Sequence, residues 1–132
     1  MSAPSMLATT PSRPRILLVE DDSAVRRSLQ LLLQARGYEV RAHASATTAL
    51  ADPACGGAAC MVADYQLDGL NGVEVLACLR SRGWAGPALL ITGHPSAELA
   101  SRAAASGFAQ VIEKPFREGV VADAVARLTQ SH

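Results

Sequence analysis

Short, wholly apolar runs alternate along this chain with longer segments in which apolar residues return every three or four positions. Ile16-Leu17-Leu18-Val19 is the first such run, and a run with no polar side suits a strand buried on both faces of a parallel sheet. It stops at three acids, Glu20, Asp21 and Asp22. Asp22 or Ser23 can cap the helix that follows, whose apolar positions Val25, Leu29, Leu32 and Leu33 have helical spacing, and Gly37 is placed to end it. The pattern then repeats. Tyr38 to His43 reads as a strand, Ser45 to about Ala51 as a short helix stopped before Pro53, and Ala58 to Ala63 as a strand ending at Asp64. Gly72 to Arg82 reads as a helix with Val75, Leu76 and Leu79 inward, and Ala88 to Ile91 as a strand ending at Thr92. A helix from Ser96 to Ser106, a strand from Phe108 to Glu113 and a helix from Arg117 to Thr129 complete five strand–helix units.

Units of this length predict an α/β fold: a three-layer, doubly wound, five-stranded parallel sheet with right-handed crossovers. The common order is 2-1-3-4-5, which reverses winding between strands 1 and 3 and places ligands beyond their carboxyl ends. Glu20, Asp21 and Asp64 end those two strands, while Thr92 and Lys114 end strands 4 and 5. The topology therefore gathers on one sheet edge five polar groups that lie far apart in sequence.

Composition narrows the partners. Twelve basic residues balance twelve acidic ones, so no chain-wide field attracts nucleic acid or an anionic membrane. No apolar run is long enough to span a membrane and the start lacks a secretory signal, so a cytoplasmic location is expected. Residues 1–14, rich in Ser, Thr, Ala and Pro, read as a disordered leader to a single domain over 15–130. Cys55, Cys60 and Cys78 are odd in number and lack paired metal-ligand spacing, which suits reduced structural thiols. Lys114 stands out because the other eleven basic residues are all arginine; a compact ammonium suits a point contact to an oxyanion better than a planar fork.

Carboxylates converging in a cleft repel one another, and a bound hard cation offsets that repulsion. Mg²⁺ is the natural candidate, since it takes oxygen ligands and keeps several waters. With Lys114 and the Thr92 hydroxyl opposite, the set matches a phosphoryl group received in line by a carboxylate.

These residues resemble the receiver domain of bacterial two-component response regulators over roughly residues 14–130. The landmarks fall in the family's order: Val19-Glu20-Asp21-Asp22, Asp64, Gly72 eight residues on, Thr92-Gly93, and Lys114-Pro115-Phe116. The resemblance implies that Asp64 accepts the phosphoryl group and that Asp21 ligates Mg²⁺ directly. Glu20 would complete the acid pair, partly through water, and Gln66 would lend its backbone carbonyl. Thr92 would bond a phosphoryl oxygen when the domain switches, and Lys114 would be its counter-charge. It also makes Lys114-Pro115 a candidate cis bond.

Two departures stand out. Asp68 replaces the proline that usually follows the phosphoacceptor by four residues, and Val111 replaces the Tyr or Phe that usually precedes the lysine by three. The second change puts the family's aromatic readout in question. Plainer readings stand beside these. Glu20-Asp21-Asp22 suits a helix N-terminus by capping and dipole alone, Thr92 can serve a turn, and Lys114 a solvated strand end. His94 either borders the phosphoryl site and influences hydrolysis or is an idle loop residue before Pro95; Tyr65 either lines the site or stacks at its rim. Trp84 is expected to pack beside Gly83 and Gly86, and the helix from Ser96, with Leu99 its one large apolar side chain, to be weakly anchored.

The reading is a phosphorylation-switched module. A sensor histidine kinase or histidine phosphotransfer protein supplies Asp64, and an unidentified downstream protein reads the surface of helix 4, strand 5 and helix 5. No direct nucleic-acid contact and no membrane are expected, nor any enzyme activity beyond self-catalysed phosphorylation and dephosphorylation. One alternative is a binding module that signals without phosphorylation. Another is an aspartate-nucleophile phosphatase, against which Gln66 stands where such enzymes carry a second acid. With three residues after Thr129, no output domain is expected, and the chain is either a stand-alone receiver or a fragment of a larger regulator or hybrid kinase.

Overall fold

A computed structural model of the chain describes residues 13–130, so all but the last two positions of the expected leader lie outside the described residues. Strands and helices alternate: β1 (Arg15–Val19), α1 (Ser23–Ala35), β2 (Glu39–His43), α2 (Ala46–Ala51), β3 (Cys60–Asp64), α3 (Gly72–Ser81), β4 (Ala88–Thr92), α4 (Ala97–Ser106), β5 (Gln110–Glu113) and α5 (Glu118–Thr129). The sheet runs β2-β1-β3-β4-β5, and every pair is parallel. This is the expected doubly wound order, with the winding reversal between β1 and β3.

The pleat sorts side chains into two cores. Leu17, Val19, Met61, Ala63, Ala88 and Leu90 face α2, α3 and α4, meeting Ala49, Val75, Leu76, Leu79, Leu99 and Ala103. Ile16, Leu18, Cys60, Val62, Leu89 and Ile91 face α1 and α5, meeting Leu29, Leu33, Val121, Ala124 and Val125. A strand read as apolar throughout is thus apolar because helices cover both faces. Cys60 sits in this core, and burial pushes its thiol up to about 12, which makes it inert.

Local chemistry fixes the helix ends. Of the two residues that could cap α1, Asp22 does so, its Oδ1 accepting from the N–H groups of Ala24 and Val25. Asn71 and Glu74 form a reciprocal capping box on α3, and Gly107 ends α4 at φ 104°, a conformation that favours glycine.

Several boundaries differ from the sequence expectation. β2 begins at Glu39 because the Tyr38 N–H turns back to Leu33 O to close α1, leaving its hydroxyl 3.1 Å from Thr129 Oγ1. β5 begins at Gln110 because the Phe108 N–H is held by Ala103 O at the end of α4. A 3₁₀ turn, Cys55–Gly57, precedes β3, which starts at Cys60 rather than Ala58. Ordered pairing also reaches into the expected leader, since Pro14 O accepts from Glu39 N. Trp84 is buried beside Gly86 as expected: a Cβ on Gly86 would lie 2.4 Å from the indole, whose N–H donates to Ala58 O.

Candidate functional site

Parallel register decides which residues meet at the carboxyl edge. Val19 pairs with Ala63, Asp64 with Ile91, and Thr92 with Glu113, so Glu20, Asp64, Thr92 and Lys114 emerge at nearly the same level. Lys114 N–H donates to Thr92 O at 2.7 Å, which carries the ladder one step past β5. The Lys114-Pro115 bond is cis.

Lys114 reaches across two strands. Its Nζ donates to Asp64 Oδ2 at 2.7 Å and lies 2.8 Å from Glu20 Oε1. Asp64 Oδ1 accepts from the Gln66 N–H, and Glu20 Oε2 from the Asp22 N–H. Glu20 Oε1, although close to the ammonium, lies off a hydrogen-bond axis; among the described residues it is the buried side-chain polar atom without a hydrogen bond. Glu20 has no solvent exposure. Burial raises its carboxyl to about 7, with the Asp64 charge adding to the shift and the Lys114 ammonium and Asp22 N–H opposing it. Burial alone would lower Lys114, yet its contacts to Asp64 and Glu20 leave it raised.

Glu20, Asp21 and Asp64 offer carboxylate oxygens within 4.8 Å of one another. Two of the three are buried and Asp21 is exposed. A site that already brings the carboxylate oxygens of three acids together fits a hard cation, which relieves their mutual repulsion.

The other expected site residues fall nearby with different roles. Thr92 is buried and its Oγ1 accepts from the His94 N–H at 3.0 Å. The side chains of His94 and Gln66 are exposed. Val111 is partly buried against the core beneath α4. Asp68 is exposed in the β3–α3 loop. Gly72 explains its own place in the motif: a Cβ there would lie 2.5 Å from Asp64 O and 2.9 Å from Leu90 Cδ1, so only glycine lets α3 begin against the end of β3.

Three features were missed in sequence. Arg26 Nη1 donates to Glu20 O at 2.9 Å and Asp21 O at 3.4 Å. Tyr65 OH accepts from Arg102 Nη1 of α4 at 3.0 Å. Asp52, buried between β2 and the turn before β3, is held by Arg41, His43 and the Ala54 N–H. Arg26 carried a signal, four residues after the helix cap; the other two pairings span chain separations that no local pattern marks.

Residues 16–126 match the family described as the response regulator receiver domain. The chain belongs to this family, the receiver domain of two-component response regulators. It is 35% identical over 115 residues to the transcriptional regulatory protein FixJ of Azorhizobium caulinodans, covering 87% of this chain and 54% of that protein. Nodulation protein W of Bradyrhizobium diazoefficiens is likewise 35% identical over 115 residues, with 87% and 51% covered. The receiver chain therefore spans about half the length of these curated relatives. Among solved structures, the non-phosphorylated HemR receiver domain of Leptospira biflexa superposes with a TM-score of 0.84 at 26% identity, covering 91% of this chain and 97% of that one. A CheY-like receiver domain protein of Methanospirillum hungatei gives 0.83 at 26% identity, with 89% and 94% covered. Among the described residues, no helix is long and apolar enough to cross a membrane.

Proposed function

We propose that Asp64 of this receiver accepts a phosphoryl group from a phosphohistidine on a sensor histidine kinase or histidine phosphotransfer protein. An Asp64 carboxylate oxygen attacks phosphorus as the phosphorus–nitrogen bond to the donor breaks. The electron pair leaves with the donor imidazole, which takes up a proton. Held by Asp21, Asp64, the Gln66 backbone carbonyl and, partly through water, Glu20, Mg²⁺ would supply charge neutralisation for the transferring group. Lys114 exchanges part of its contact with Asp64 for a phosphoryl oxygen, and the Thr92 hydroxyl donates to another. The observation that carries this reading is the Lys114 ammonium 2.7 Å from Asp64 inside a cluster of three carboxylates.

In the free protein Thr92 Oγ1 holds the His94 N–H. Turning that hydroxyl toward a phosphoryl group pulls on the β4–α4 loop, and α4, with only Leu99 and Ala103 buried, is free to follow. A downstream protein then reads the altered surface of α4, β5 and α5. The relative from Azorhizobium caulinodans is named a transcriptional regulatory protein, but this segment carries balanced charge, and we assign it protein contacts, a cytoplasmic setting and no nucleic-acid surface. Turnover is confined to its own acyl phosphate, because Gln66 offers no titratable group beside the nucleophile. The test is acetyl-phosphate labelling with Mg²⁺: wild type incorporates label at Asp64 and Asp64→Asn does not. Undiminished labelling of the variant overturns the assignment.

Val111 favours a second reading, in which the site persists but partner binding ignores it. Beryllofluoride decides between them: a phosphorylation switch binds its captured partner with unequal affinity in the two states, whereas equal affinities support the second reading.

A further inference from the structure

The acid loop Glu20-Asp21-Asp22 has to aim two carboxylates at Asp64 while staying between a strand and a helix. Four of its polar groups are tied down by hydrogen bonds. Glu20 N–H donates to His43 O at 3.0 Å, Asp22 N–H to Glu20 Oε2, and Asp22 Oδ1 caps α1. The carbonyls of Glu20 and Asp21 fall to a single group, one nitrogen of Arg26, which reaches back from α1 at 2.9 and 3.4 Å. Arg26 is partly buried, and among the described residues its contacts run to this loop rather than to a carboxylate in an ion pair.

Its charge is therefore in an awkward place. A guanidinium beside a cation site repels the cation, so by Coulomb's law alone removing it should tighten metal binding. Its hydrogen bonds act the other way: they fix the backbone that carries Glu20 and Asp21, so the loop arrives ordered and loses less entropy when a metal binds. Charge and geometry thus predict effects of opposite sign.

We infer that Arg26 is a positioning residue for the acid loop, and that it strengthens binding of a divalent cation by the Glu20, Asp21 and Asp64 cluster despite its charge. The inference rests on the metal reading proposed above. Lysine is not an equivalent residue, because its freely rotating ammonium lacks the fixed N–H directions by which the planar guanidinium aims one nitrogen at both carbonyls.

The experiment titrates Mg²⁺ into the full chain by calorimetry and follows acetyl-phosphate labelling across Mg²⁺ concentrations. Loss of loop hydrogen bonds in Arg26→Ala weakens Mg²⁺ about 5- to 10-fold, and Arg26→Lys about 2- to 3-fold although the charge remains. The half-saturating Mg²⁺ for labelling rises by the same factors while the rate at saturating Mg²⁺ holds. Arg26→Ala binding Mg²⁺ as well as wild type, or more tightly, overturns the inference. Should Arg26→Ala unfold, Arg26→Lys decides alone, and unchanged affinity there counts against it. Wild type that does not bind Mg²⁺ overturns the metal reading and this inference with it; wild type that binds while the variants match it overturns the inference only.

Discussion

At the level of single residues, the site is a problem of charge held out of water. Glu20, without solvent contact, keeps Lys114 company at 2.8 Å, and the Lys114 side chain is in turn 21% exposed. Sequence located both residues but not this depth, because burial of Glu20 depends on the helices on either side of β1. Asp52 shows the same limit more sharply. Nothing in Ala51-Asp52-Pro53 announces a carboxylate with 2% side-chain exposure, gripped through both oxygens by Arg41 and through one by His43. The Arg41 guanidinium, then the Ala54 N–H and then His43 hold the Asp52 carboxyl well below the usual carboxylate range. A carboxyl depressed in the folded state contributes stability above its unfolded value of about 3.9 and loses it as pH falls through the folded one. Asp52→Asn is therefore less stable than wild type near pH 7, and the gap in urea unfolding free energy narrows below about pH 4. A gap that stays constant from pH 7 to pH 3 refutes this account.

Among the elements, α4 is anchored more thinly than α3. α3 buries Val75, Leu76 and Leu79, while α4 buries Leu99 and Ala103; a fully buried leucine supplies about 1.5–3 kcal/mol, an alanine far less. The sequence made this thinness visible through its run of alanines. What it concealed is the polar fastening: Arg102, on the second turn of α4, donates to the hydroxyl of Tyr65, the residue after Asp64. Tyr65 is itself fixed by backbone bonds to Ile91 O and from Gly72 N, so the bond ties α4 to the end of β3. Tyr65→Phe removes one hydrogen bond, and amide exchange across α4 quickens roughly 2- to 10-fold while the sheet amides stay protected. Exchange in α4 indistinguishable from wild type would show that the burial of Leu99 and Ala103 holds the helix without this bond.

For the molecule as a whole, the sequence determined the strand count, the parallel sheet, its order and the polar residues at each strand end. Those features follow from local rules: wholly apolar strand runs, period-3.6 helical burial, capping residues, glycines at helix ends, and the small set of connections a right-handed crossover permits. Gly72 stood in the sequence as a landmark, and the approach of α3 to β3, which leaves no room for a Cβ, supplies its reason. Boundaries moved by one to two residues where a helix end took a backbone hydrogen that a strand was expected to use, as at Tyr38 and Phe108. Only the tertiary structure decided which oxygen of Asp64 meets Lys114, which carboxylate is dry and which exposed, and which arginine holds the acid loop. The physical reason is that a strand end's position follows from chain order, whereas charge, burial and hydrogen bonding at that position depend on side chains delivered from four other strands and helices across the fold.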